Sequence, residues 1–261
     1  MRVKNLGSGS KGNSTLIETG KTKVLLDCGF GIRELTNRLN EAGVSLDEID
    51  AIVITHEHSD HIKGLKSIIA KHKIKVYAHA LVWPVLHSQV DNRLEMVFGD
   101  MPFKIGDLVV TPFVVSHDSI NCQGFTFTCG KAKFGYATDL GYVSSEVLNM
   151  LTGSKLVFIE SNHDEEMLKN GPYPPILKAR IRGNTGHLSN IQCAEATIKL
   201  ALSGTKYFAL AHLSEHNNTP ALAYGTVSNA LANAMLEPEK DVFLRLTYQD
   251  KCGNNFYIKE T

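Results

Sequence analysis

Apolar residues recur along this chain with two different periods, and the switch between them marks its elements. Short apolar runs over residues 3–6, 14–18 and 23–27 read as strands, the last two joined by a turn at Gly20-Lys21. Over 32–42 the period changes: Ile32, Leu35, Leu39 and Ala42 share one helical face, and Gly43 stops the helix. Residues 51–55 are continuously apolar up to Thr55, as expected of a strand buried on both faces. A helix over 61–72, a strand over 75–78 and a helix over 80–89, with Pro84 in its first turn, follow. Strands are then predicted over 108–115, 124–128 and 133–138.

The second half repeats the theme. A helix over 143–151 precedes a buried strand over 156–160. Helices over 165–169 and 176–181 are split by Gly171-Pro172-Tyr173-Pro174-Pro175. A longer helix spans 189–202, with Ser189 or Asn190 as cap, and a strand covers 207–211. Thr219 and Pro220 start a helix over 220–234, and strands over 242–248 and 255–259 close the chain as a hairpin. Strands followed by helices in both halves predict an α/β architecture. Its expected form is a four-layer αββα sandwich, two sheets face to face with helices outside, in a single domain over 1–261.

Composition narrows the picture. Lys+Arg and Asp+Glu are equal at 27 each. A net charge of zero excludes a strongly basic coat for non-specific nucleic-acid binding, leaves a local basic groove open, and mildly favours small substrates. No run of about 18 apolar residues predicts a membrane span. The start, Met1-Arg2-Val3-Lys4, has no apolar signal core, so a cytoplasmic location is the default expectation. Cys28, Cys122, Cys129, Cys193 and Cys252 form no C-x-x-C pair, and an odd count suits a reduced compartment.

Histidine carries the chemistry. Thr55-His56-Glu57-His58-Ser59-Asp60-His61 follows a buried strand and precedes a helix. Residues two apart in extended chain point the same way, so His56 and His58 project together and suit one metal ion. Asp60 and His61, at the turn into the helix, suit a second. Imidazole and carboxylate donors fit zinc, manganese or iron, without choosing among them. A polar loop without metal seldom needs four such residues in six positions. Asp27, His117, Asp139 and His212 each follow an apolar strand, where loops gather at one sheet edge.

These five elements, in this order and over nearly the whole chain, resemble the motifs of the metallo-β-lactamase superfamily. The resemblance implies that fold, with two mixed sheets, and a site holding two divalent metal ions. His56, His58 and His117 would bind the first ion, Asp60, His61 and His212 the second, and Asp139 both. Asp27 would orient ligands from behind. The commonest β-lactam hydrolases of the superfamily carry cysteine at the Asp139 position, so aspartate there implies phosphodiester or thiolester hydrolysis instead. Two cations about 3.5–4 Å apart lower the pKa of a bridging water and clamp phosphate oxygens. Asp60 would orient or deprotonate that water.

Further segments bear on the substrate. Gly186-His187-Leu188-Ser189 just before a helix resembles the tRNase Z and cyclic-phosphodiesterase branch, which implies that His187 contacts the scissile phosphate. A loop residue or cap is the plainer reading. His163 reads equally as a phosphate-side residue or as an ordinary strand-end histidine. The loop Ser8-Gly9-Ser10-Lys11-Gly12-Asn13-Ser14 offers donors, Ser8 and Asn13 among them, for phosphate, or is merely a turn-rich hairpin entry. Lys178, Arg180 and Arg182 form a basic patch beside His187 or a solvated helix face. His72, His79 and His87 are expected to be structural or exposed, and His216 a loop residue. The whole set is similar to the YycJ/WalJ (VicX) single-domain bacterial proteins, which implies exonuclease action on DNA. Hydrolysis of a small cyclic phosphodiester or thiolester is the alternative within enzymes. A metal-binding regulatory protein is the alternative outside them, and all these readings leave an oligomer open.

Overall fold

Leu16 and Ile17 are adjacent in the chain and both fully buried, because the strand that carries them is covered on both faces. Leu16 joins an apolar layer under helices, and Ile17 joins a layer between two sheets. The computed structural model describes residues 1–259, and this two-sided burial organises it.

One seven-stranded sheet runs in the order β14-β1-β2-β3-β4-β5-β6. Its strands are β1 (Arg2–Gly7), β2 (Ser14–Glu18), β3 (Lys23–Leu26), β4 (Ala51–Val53), β5 (Lys75–His79), β6 (Glu95–Phe98) and β14 (Asn255–Tyr257). The second runs β13-β12-β11-β10-β9-β8-β7. It comprises β7 (Phe103–Ile105), β8 (Leu108–Val114), β9 (Gln123–Cys129), β10 (Ala132–Ala137), β11 (Leu156–Glu160), β12 (Tyr207–Ala211) and β13 (Phe243–Leu246). Both sheets are mixed: β3 to β6 and β10 to β13 pair in parallel, and the remaining pairs are antiparallel.

Helices α1 (Ile32–Glu41), α3 (Leu65–Lys71) and α4 (Trp83–Leu86) cover the first sheet through Leu35, Leu39, Leu65, Ile68, Trp83 and Leu86. Helices α5 (Ser145–Leu151), α8 (Asn190–Leu202) and α9 (Pro220–Asn233) cover the second through Val147, Leu151, Leu200, Val227 and Leu231. Phe125, Phe127, Phe134 and Phe158 fill the layer between the sheets. Helix, sheet, sheet and helix thus stack as the four layers expected. Each buried phenylalanine or leucine contributes about 1.5–3 kcal/mol through removal from water. Among the described residues no helix is long and apolar enough to cross a membrane.

The structure departs from the sequence pattern at several places. The helix expected over 61–72 is two pieces, α2 (Ser59–Ile62) and α3. Gly64 lies between them, donating its N–H to the carbonyl of Cys28, and a Cβ there would collide with the carbonyl of Phe30. The helix expected over 80–89 shrinks to α4. Strands β6 and β7 lacked a readable apolar alternation; in β6 only Phe98 is buried. The closing hairpin is absent: β13 pairs in parallel with β12, whereas β14 pairs with β1 in the other sheet. The intervening residues 247–254 are too many for a tight hairpin turn and cross between sheets instead.

Candidate metal centre

Strand ends at one edge of the sandwich deliver the polar residues. Asp27, Asp139 and His212 each follow an apolar strand and each adopt a left-handed backbone, with φ of 61°, 58° and 55°. Side chains with a Cβ avoid this region, at a cost of order 1–3 kcal/mol each. The sharp turn swings each chain out of its sheet just where the next side chains must converge. Three such turns on residues with ligand chemistry point to a functional constraint.

The side chains converge as four overlapping donor groups. His56, His58 and His117 form one; His56, His61 and Asp139 another; Asp60, His61 and His212 a third; Asp139, Glu160, His187 and His212 a fourth. Within each group the donor atoms lie within 4.8 Å of one another. Asp139 divides its oxygens: Oδ2 is 3.4 Å from Nε2 of His61, and Oδ1 is 3.4 Å from Nε2 of His212. Asp60 Oδ2 stands 3.5 Å from His61 Nε2 and 3.7 Å from His212 Nε2.

Buried partners behind the rings fix which nitrogen faces the centre. His61 donates from Nδ1 to Asp27 Oδ2 at 2.7 Å, and Asp27 also accepts from the backbone N–H of Thr55 at 2.8 Å. His117 donates from Nδ1 to the carbonyl of Gly186 at 3.2 Å. His212 and His187 both donate from Nδ1 to Oε1 of Glu160, at 2.9 and 2.8 Å. His56 Nδ1 lies 3.0 Å from the Thr55 hydroxyl and 3.5 Å from Cys122 Sγ. Every one of these rings therefore turns Nε2 toward the shared space. Nε2 of His56 and of His212 are buried without any hydrogen-bond partner. Buried polar atoms are nearly always satisfied, and a cation at each of these nitrogens would satisfy them. The donor set fits divalent metal on that observation.

Electrostatics agree. Burial, then the neighbouring His61, His117 and His58, holds the His56 pKa well below its ordinary value, so its lone pair is free. Burial opposes charge on His61, but Asp27, Asp139 and Asp60 outweigh it and lift its pKa to about 9. Burial likewise opposes charge on Asp139, yet His212 and His61 keep its carboxyl below the usual range.

Of the remaining sequence candidates, Ser8 accepts the backbone N–H of His212 on its hydroxyl at 2.9 Å. Asn13 donates from Nδ2 to Asp60 Oδ2 at 3.2 Å, and its own N–H donates to the Asp60 carbonyl at 2.8 Å. Both sit directly behind the group of Asp60, His61 and His212. His163 is 2% exposed, belongs to no donor group, and has an unpartnered Nδ1. His72 pairs with the exposed carboxylate of Asp47, exposed His87 pairs with Glu95, and His216 packs on Tyr173. Arg180 binds Asp118, which follows His117, so the basic residue ties α7 (Pro175–Arg182) to the rim of the centre.

Sequence reading missed Glu160. It is fully buried, and besides both histidines it accepts the N–H groups of Leu140 and Leu188 at 3.1 and 3.0 Å. Its signal was the same as that of Asp27: a charged residue closing a run of buried apolar ones.

Fold and donor set together define a metal-binding hydrolase fold, and comparison with known proteins gives its family. The model of the beta-lactamase superfamily domain matches residues 22–212, and the chain belongs to this superfamily. It is 39% identical over 237 residues to exodeoxyribonuclease WalJ of Streptococcus pneumoniae, covering 88% of either chain. It is 36% identical over 231 residues to exodeoxyribonuclease YycJ of Bacillus anthracis, covering 87% of either chain. Among solved structures, the metallo-beta-lactamase fold protein YhfI of Bacillus subtilis superposes with a TM-score of 0.75 over 98% of both chains. At 16% identity that likeness concerns the fold alone. Membership of this superfamily and the clustered donors make the site a divalent-metal centre.

Proposed function

We propose that this protein is a two-metal phosphodiesterase that degrades nucleic acid, with DNA as substrate and exonuclease action as its mode. In this reading His56, His58 and His117 hold one ion, Asp60, His61 and His212 the second, and Asp139 both. Zinc, manganese and iron all suit these donors. Bound there, the ions supply Lewis-acid activation of water and neutralise charge on the phosphate.

The chain's own residues do the rest. Asp60 orients the attacking water by accepting its hydrogen bond. Glu160 holds Nδ1–H of His187 and stabilises its imidazolium, leaving Nε2–H to face the scissile phosphate and protonate the leaving oxygen. Asp27 holds His61, and Glu160 holds His212, in the tautomer that presents Nε2. Ser8 braces the backbone of His212 and Asn13 the carboxylate of Asp60, and His163, whose carbonyl accepts the N–H of Asn190, braces the turn into α8.

The observation that carries this reading is Asp139, a donor with His56 in one group and with His212 in another. The relatives named exodeoxyribonucleases, at 39% and 36% identity, support the choice of DNA. A panel of zinc, manganese and iron against an aryl phosphodiester, single- and double-stranded DNA, RNA and a thiolester tests it. Cleavage of the aryl phosphodiester and of DNA from an end is expected. Thiolester turnover without phosphodiester turnover contradicts the assignment.

A further inference from the structure

Helix α7 carries three cations, Lys178, Arg180 and Arg182, and no carboxylate. Its C-terminal end is fastened to the metal centre. The carbonyl of Ile181 accepts the N–H of His187 at 2.9 Å. Nε of Arg180 donates to Oδ2 of Asp118, the residue after His117. The stretch that carries Asp118 is itself pinned: the Asp118 N–H donates to the carbonyl of Thr185 at 3.0 Å, and the Ser116 hydroxyl donates to that of Asn184 at 2.7 Å. Asp118 Oδ1 stands 3.5 Å from Nε2 of His117, the nitrogen that faces the shared space. One carboxylate therefore separates Arg180 from the group of His56, His58 and His117.

The pair is unequal. Asp118 engages both oxygens, Oδ2 on Arg180 and Oδ1 beside His117. Arg180 engages Nε alone; its two terminal nitrogens, with four of the five guanidinium N–H groups, meet no acceptor among the described residues. An arginine that only tethered a helix would gain most by setting two N–H groups on the two oxygens of one carboxylate. The side chain is 55% exposed, and Asp118 is the one carboxylate that acts on its charge. Its neighbours on the helix differ. Arg182 shares a pocket with Glu165 and Glu166, which balance it, and Lys178 Nζ donates to the carbonyl of Lys169 at 2.7 Å. The free donors beside the centre thus belong to Arg180.

We propose that Arg180 grips the phosphate next to the scissile one, and that this contact makes the protein favour polynucleotides over simple phosphodiesters. The inference rests on the phosphodiesterase reading of the metal centre. The planar guanidinium offers parallel N–H groups that match two oxygens of one phosphate, which an ammonium cannot do. The scissile phosphate belongs between the ions and His187. Arg180 stands one carboxylate further out, where the next phosphate along a strand arrives. Asp118 is the positioning residue: pinned to Thr185 and held beside His117, it fixes Nε and leaves the terminal nitrogens free for substrate.

A deoxydinucleotide with a single phosphodiester and a trinucleotide with a second separate this contact from the chemistry. The wild type is expected to cleave the trinucleotide with a kcat/KM about tenfold higher, the worth of one charge-assisted phosphate contact. In Arg180→Gln that ratio should fall close to unity, through the KM of the trinucleotide. Arg180→Lys should keep part of it. Asp118→Asn breaks the same ion pair but retains the guanidinium, and should keep more of the ratio than Arg180→Gln does. Equal loss in Arg180→Gln and Asp118→Asn, with no rescue by lysine, would reduce the pair to a tether and overturn the proposal. So would an unchanged ratio in Arg180→Gln, or an equal loss with both substrates, which would move Arg180 to the scissile phosphate. Anisotropy of a labelled 12-nucleotide DNA reads the contact without turnover: Arg180→Gln should bind about tenfold more weakly, and its log–log salt slope should shrink by roughly 0.7. If the wild type cleaves no phosphodiester under any metal, the phosphodiesterase reading fails, while this affinity and slope still decide the contact.

Discussion

One oxygen of Glu160 accepts hydrogen bonds from Nδ1 of both His187 and His212, at 2.8 and 2.9 Å. The histidine proposed to face the phosphate and a histidine proposed to bind metal are thus oriented by a single buried carboxylate. Burial resists that charge, and the two imidazoles hold the carboxyl below its usual pKa range. Glu160→Gln replaces one acceptor oxygen with a donor nitrogen and removes the charge. Metal affinity at the second position is expected to weaken 10–100-fold. Turnover at saturating metal should still fall, because His187 loses its partner as well. Metal titration paired with kinetics separates the two effects; normal values for both would refute the shared role.

His187 itself is predicted to be dispensable for metal. In His187→Ala, metal content should stay at the wild-type level while kcat for an aryl phosphodiester falls about 10²–10⁴-fold, the usual worth of a general acid. The loss should shrink with substrates whose leaving groups are better. Metal loss in this variant would move His187 among the ligands.

Gly29 presses against the loop that carries Asp60 and His61. A Cβ at this position would collide with the carbonyl of Asp60 and crowd the N–H of Asn13. Gly29→Ala must push that backbone aside, at about 2–3 kcal/mol. A lowered melting temperature together with weakened metal binding is expected. A lowered melting temperature with unaltered metal affinity would show that Asp60 is not held by this contact.

Stability should also respond to pH through His163. Burial holds its pKa down to about 4, against an unfolded value of about 6.5. Between these values the unfolded chain binds more protons than the folded one, so stability present above about pH 6.5 is lost as pH falls toward 4. The interval corresponds to about 3 kcal/mol. Urea midpoints measured from pH 7 to 4.5 should fall more steeply for the wild type than for His163→Gln. Parallel curves would assign the acid loss to other groups.

Much of the architecture and most of the centre were legible in the chain, for one physical reason. Strands covered on both faces are nearly continuous apolar runs, so a His or Asp that ends one, such as Asp27 or His212, stands out sharply. Glu160 ends Leu156-Val157-Phe158-Ile159 in the same manner and was legible by the same rule. Its role was not legible, because which two rings it touches depends on strand order in the sheet. The breaks were harder. Gly64 interrupts a helix because another chain segment passes close by, which no local period records. The last two strands each look like hairpin partners, and only the pairing of β14 with β1 separates them. Arg180 stood out only as one of a basic trio, and its pairing with Asp118, far off in sequence, carries no local pattern.

Metal stoichiometry is the direct test of the central claim that Asp139 joins two ion sites. Protein dialysed to equilibrium with zinc or manganese and measured by plasma mass spectrometry should carry two ions per chain, and Asp139→Ala should retain fewer than one. One ion per wild-type chain, or two ions retained by Asp139→Ala, would contradict the account.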